Sequence, residues 1–141
     1  MLREIGLSEM VKKGISKEDF VFVARKRGND ELAPPDDLFN DFDKGKKRLE
    51  KEFGNGSVEA HNKAFLDCDY ELRFRENILG NPSALKKLEE ICKHSHKKDV
   101  YLVCYEGTAK ACHRRILLRV AKERFGAKVI IEGVEPEQPA R

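Results

Sequence analysis

The stretch VYLVCYEGTAKACHRRILLRV, from Val100 to Val120, decides the fold. Its first five residues, Val100–Cys104, form a continuous apolar run, which reads as a strand buried on both faces. A short Gly-containing loop follows. A helical pattern then opens at Cys112 and runs to Phe125, with Ile116, Leu117, Val120 and Ala121 on one face and Gly126 as the residue that stops it. Lys128 to Glu132 reads as a further strand. Strand, helix and strand together predict a βαβ unit with parallel strands. The fold class expected is therefore α/β: a small, mainly parallel sheet flanked by helices, with this βαβ unit at the C-terminal end.

Upstream, Leu7 to Lys13 reads as a short helix ended by Gly14. The β-branched and aromatic run Phe20 to Arg25 reads as a strand. Ala33-Pro34-Pro35 breaks the chain before a short helix, Asp37 to Phe42. Lys44 to Ser57, basic and then Gly-rich, reads as a connection. One long helix is predicted from Val58 to Ile78, with Phe65, Cys68 and Leu72 on one face. Asn81-Pro82 supplies an N-cap and first residue for the next helix, whose stripe is Ala84, Leu85, Leu88, Ile91 and Cys92. The 141 residues read as a single domain, with residues 1–18 a divergent N-terminal segment and 133–141 a tail.

Hydrophobic residues make up 40% and charged residues 38%, a balance that suits a highly charged globular protein rather than a disordered one. No apolar run approaches the ~20 residues that span a bilayer, and the first residues lack a signal-peptide core. A cytoplasmic protein with no membrane partner is the expectation. The four cysteines, Cys68, Cys92, Cys104 and Cys112, are then expected as thiols, and no spacing gives a close zinc pair. Net charge is only +3, yet its distribution is uneven. Thr108 to Lys128 is strongly basic, whereas Asn29 to Asp43 holds acids and no base.

The strand-to-helix junction gathers the chemistry. Cys112 opens a helix whose dipole and neighbouring arginines favour a thiolate. It also falls in phase with Ile116 and Val120, so a packed core thiol is the competing reading. Cys104 ends the strand at the edge where open α/β sheets bind ligands, or packs in the core. His113 has the chemistry of a base. Arg114 and Arg115 oppose the dipole of a first helical turn, a placement that makes sense if an anion sits there. Glu106, in the same loop, is the internal partner that would remove that need. Walker A and Gly-x-Gly-x-x-Gly patterns are absent, and Lys110 stands where a thiol-phosphatase loop built on Cys104 needs Arg. No metal site and no cofactor is assigned.

VYLVCYEGTAKACHRRIL resembles the hallmark of the domain-of-unknown-function 488 family, in which an apolar strand ending in Cys and Glu leads through a short loop to Cys-His-Arg. ELAPPDDLFNDFDKGK and FLDCDYELRFRENILGNPSALKKLEEI are similar to the family's upstream segments, so the likeness runs from about Phe20 to Val129. The resemblance implies an α/β fold and a site of Cys104, Glu106, Cys112, His113 and Arg114, with Arg25 after the first strand and Tyr70. Where the family often has Asp-x-Arg, this chain has Val23-Ala24-Arg25, without the acid.

Two functions follow as expectations. The first is an anion-binding domain, or an enzyme using Cys112 or Cys104 as a nucleophile on a phosphorylated or carboxylated small molecule gripped by Arg114, Arg115 and Arg25. The second is a nucleic-acid-binding or accessory module using the basic helix 114–128 and Lys46-Lys47-Arg48.

Overall fold

A computed structural model describes residues 1–133. The expected tail from Pro136 to Arg141 lies outside the described residues. Three parallel strands, β1 (Leu2–Gly6), β2 (Phe20–Phe22) and β3 (Val100–Cys104), form a sheet in the order β1-β3-β2. Six α-helices accompany them: α1 (Leu7–Lys13), α2 (Asp36–Phe53), α3 (Val58–Asp67), α4 (Tyr70–Leu79), α5 (Pro82–Ser95) and α6 (His113–Phe125). This is an α/β fold with a parallel sheet flanked by helices; α1, β3 and α6 stand within a residue of their predicted bounds, and α5 starts at the predicted Pro82. Leu2, Val100 and Leu102 from the sheet meet Phe74, Leu88, Ile116, Leu117 and Val120 from the helices in one core.

Other elements depart from expectation for local reasons. β1 lies within the segment 1–18, expected to be divergent and without a predicted strand, yet its Leu2, Glu4 and Ile5 are all buried. Residues 44–53, expected as a connection, continue α2. Their Lys, Arg and Glu are good helix formers, and Leu38, Phe42 and Leu49 share its buried face. The predicted helix from Val58 to Ile78 is two helices. Asp69 takes a left-handed conformation, φ 53°, which an Asp tolerates better than most residues. The break re-aims the second half, burying Tyr70, Phe74 and Ile78 and leaving Leu72 exposed.

The predicted last strand shrinks to one parallel bridge, Val129 to Leu2, so the return from α6 pairs with β1 and not with β3. Leu2 N–H donates to Lys128 O and Ile130 N–H to Leu2 O. Continued in this register, the ladder would take Glu132 N–H to the Glu4 carbonyl; that N–H goes instead to Glu4 Oε2, 3.2 Å away. A side chain has captured the ladder.

The carboxyl ends of β1 and β3 come together at Gly6. A Cβ there would lie 2.7 Å from the carbonyl oxygen of Glu106, which only backbone movement relieves. Gly6→Ala is expected to destabilise the fold by roughly 1–3 kcal/mol, the usual penalty of overpacking, read from the urea midpoint. An unchanged midpoint would show that the 105–107 loop is not held by this contact.

Candidate functional site

The loop between β3 and α6 is fastened from outside. His61 and Asn62, neighbours on α3, both bind it. His61 Nε2 donates to Ala111 O at 2.7 Å, while Asn62 accepts from Ala111 N–H at 2.8 Å and donates to Ala109 O at 3.1 Å. These contacts deliver Cys112 to the N-cap of α6 in an extended conformation, φ −149°, with no side-chain cap bond. Its sulfur lies instead 3.7 Å from His113 Nδ1. The far ring nitrogen, Nε2, is 2.7 Å from Val23 O at the end of β2. A carbonyl only accepts, so that bond assigns the ring proton to Nε2 and presents the Nδ1 lone pair to the thiol.

Cys104, at the end of β3, completes the group: the Cys104, Cys112 and His113 ligand atoms all lie within 4.8 Å of one another. The two thiols are opposites. Burial works against the charged form of Cys112, yet its hydrogen bond with Cys104, the adjacent His113 and the Arg114 charge hold its pKa well below the ordinary thiol value. The same hydrogen bond, then burial, pushes Cys104 up. One thiol is poised to ionise and its neighbour to stay protonated.

These groups line a pocket of about 310 Å³ at the carboxyl edge of the sheet. Its walls are mainly apolar and include an aromatic cluster: Phe39 and Phe42 from α2, Phe65 from α3 and Tyr70 from α4. Tyr70 stacks on Phe65 with ring centroids 4.2 Å apart. Burial, and then the two nearby cysteines, push its phenol well above the usual value, so it remains a proton donor. Burial lowers His61, which keeps that imidazole neutral.

Of the sequence-predicted residues, Cys104, Cys112, His113, Glu106 and Arg25 all line this pocket. Arg25 lies over the Phe39 ring and pairs with the exposed Asp36 at 2.5 Å. Beside it Lys26 holds a left-handed backbone, φ 61°, with its N–H on Asp30. Sequence reasoning missed Lys26 and His61. The spacing from His61 to Phe65, one helical turn, was the available signal that the imidazole faces inward.

Arg114 and Arg115 are placed otherwise, fully buried behind the pocket. The anion that faces them is Glu4, itself buried, at 3.0 Å from Arg114 Nε and 2.9 Å from Arg115 Nε. Glu106, the partner offered by the sequence, is not the one used in these ion pairs. The guanidiniums also fasten the loop, Arg114 donating to Gly107 O and Arg115 to the carbonyls of Gly107, Thr108 and Lys110. Further along α6, Arg119 pairs with Glu71 at 2.6 Å. Lys46 and Lys47 sit within α2 beside Asp43.

Two sulfurs and an imidazole nitrogen also make a donor set for a soft divalent cation, one ligand short of a closed tetrahedral site. The buried Arg114 charge, close enough to lower the Cys112 pKa, opposes a second cation there. That charge fits thiolate chemistry better than metal binding.

An α/β domain with a thiol–imidazole pair beneath a carboxyl-edge pocket is the class that fold and site define. Residues 2–125 match DUF488-N3a, described as the active DUF488-N3 subclade, and the chain belongs to the DUF488 family. No curated protein and no solved structure matches it. Among the described residues no helix is long and apolar enough to cross a membrane.

Proposed function

We propose that the protein is a thiol-dependent enzyme acting on a small molecule held in the carboxyl-edge pocket. Cys112 is the nucleophile, His113 takes its proton, and Cys104 donates a hydrogen bond to the thiolate. The observation that carries this reading is the 3.7 Å separation of Cys112 Sγ and His113 Nδ1, with the ring oriented by Val23 O. A nucleophile beside a base that a third group orients is the general signature of covalent catalysis, and its distances are often loose in ligand-free sites.

Arg25 and Lys26, which line the pocket, take the anionic end of a phosphorylated or carboxylated substrate. Arg114 acts from behind through its charge on Cys112, and Arg115 positions the loop. Glu106 shares the lining with the two cations and limits how much negative charge is accepted. A nucleic-acid role for α6 has less behind it, because Arg115 is buried on Glu4 and Arg119 pairs with Glu71.

The test is competitive alkylation of the native protein by iodoacetamide at pH 7, mapped by mass spectrometry. Cys112 is expected to react first, despite its burial, and a bound carboxylate or phosphate compound to slow it. Equal, slow modification of all four cysteines would overturn the reading.

A further inference from the structure

Thiol nucleophiles act on many substrates, and the second thiol narrows the choice. Cys68 and Cys92 stand apart from the pocket lining, whereas Cys104 and Cys112 both line it with their sulfurs within 4.8 Å. A hydrolytic thiol enzyme has no use for a second thiol at that distance. Protonated and hydrogen-bonded to the nucleophile, it would be an alternative attacker on any acyl intermediate. An oxidised sulfur on Cys112, by contrast, is the electrophile that an adjacent thiol resolves.

From this we infer that the pocket reduces an organic hydroperoxide, with Cys112 as the attacking thiol and Cys104 as the resolving one. The inference rests on the thiol-enzyme reading above and names its substrate class. The Cys112 thiolate attacks the terminal peroxide oxygen; the S–O bond forms as the O–O bond breaks. Sulfur is oxidised to the sulfenic acid and the peroxide reduced to an alkoxide. The proton that left Cys112 for His113 Nδ1 returns to that alkoxide as the alcohol leaves, with the Tyr70 hydroxyl a second donor on the wall. The Cys104 thiol then displaces hydroxide from the sulfenic sulfur, its own proton completing a water, and the Cys104–Cys112 disulfide forms. Two equivalents of an external thiol reduce that disulfide and are themselves oxidised to a disulfide.

The pocket selects among peroxides. Its apolar walls favour an apolar organic group over the small, hydrated hydrogen peroxide. Arg25 and Lys26 sit where a carboxylate or phosphate on the same molecule would lie. An aryl or long-chain hydroperoxide is the expected better substrate.

Cumene hydroperoxide and hydrogen peroxide, each mixed with the reduced full-length protein, provide the test. Consumption of cumene hydroperoxide should exceed that by free cysteine by roughly a thousandfold or more, because only a depressed pKa combined with orientation gives such a gain. One disulfide per chain should form, and peptide mapping should place it at Cys104–Cys112. In Cys104→Ser the sulfenic acid should persist on Cys112 and be trapped by dimedone. Cys92→Ser, remote from the pocket, should behave as the parent protein. A peroxide rate equal to that of free cysteine, or a disulfide that does not join these two residues, would overturn the inference. If Cys112 still alkylates first, the thiol-enzyme reading then stands without it. If Cys112 is slow toward both reagents, the broader reading has failed as well.

Discussion

Glu4→Gln is expected to destabilise the protein by about 3–5 kcal/mol, the usual result of removing one member of a buried ion network. The carboxylate is 2% exposed, faces two fully buried guanidiniums and also accepts the Glu132 N–H. Gln keeps the shape and one acceptor but removes the charge that faces both buried guanidiniums. Against a typical folding free energy of ~5–15 kcal/mol, that loss is a large fraction. Urea denaturation measures it. Glu71→Gln is the contrast, because its partner Arg119 is partly exposed and the pair contributes less than about 1 kcal/mol. Equal midpoints for the two variants would show that Glu4 is not the counter-charge of the arginines.

The same network explains what the sequence could and could not show. β3, α5 and α6 were legible because each carries its own local signal: a continuous apolar run, an Asn-Pro start, a glycine stop. Cations at a helix start are otherwise unfavourable, so Arg114 and Arg115 pointed to an anion nearby. Which anion was not legible. Glu4 lies 110 residues from Arg114, in a strand whose Arg3 and Glu4 made the segment look like surface. Charge that is neutralised across the fold looks, in sequence, the same as charge exposed to water. The acidic stretch from Asp30 to Asp43 shows this again: Glu31 pairs with Lys87, Asp36 with Arg25, and Asp37 and Asp41 with Arg73. The acidic stretch and the basic helix do not pair with each other; each is matched, in large part, by residues elsewhere in the chain. The α3–α4 break was hidden for another reason. The helical period continues across Cys68 and Asp69, and only the left-handed backbone at Asp69 interrupts it.

The pH dependence of Cys112 is where the site separates most sharply from an ordinary buried thiol. In the native protein its alkylation rate should reach its plateau at lower pH than that of an ordinary thiol, because the thiolate is favoured by Cys104, His113 and Arg114. Cys92, pushed up by burial to about 11, should react slowly and only in alkali. His113→Gln retains an amide that can donate to Val23 O but removes the imidazole from the thiol. The Cys112 profile should then move to higher pH, and each unit of that movement lowers the rate on its rising limb by about tenfold. Superimposable profiles for the two proteins would remove His113 from the mechanism. Stability should follow the same ionisation. A group whose folded pKa is depressed contributes stability that is present above its unfolded pKa, ~8.5 for a thiol, and is lost as pH falls through its folded pKa. Cys104 is shifted the other way, so above that unfolded value the unfolded chain ionises first and the native state loses stability. The thiol pair therefore makes unfolding free energy rise with pH below ~8.5 and fall beyond it, whereas Cys112→Ser should lose the rising limb and keep a shallower fall, that due to the burial of Cys104.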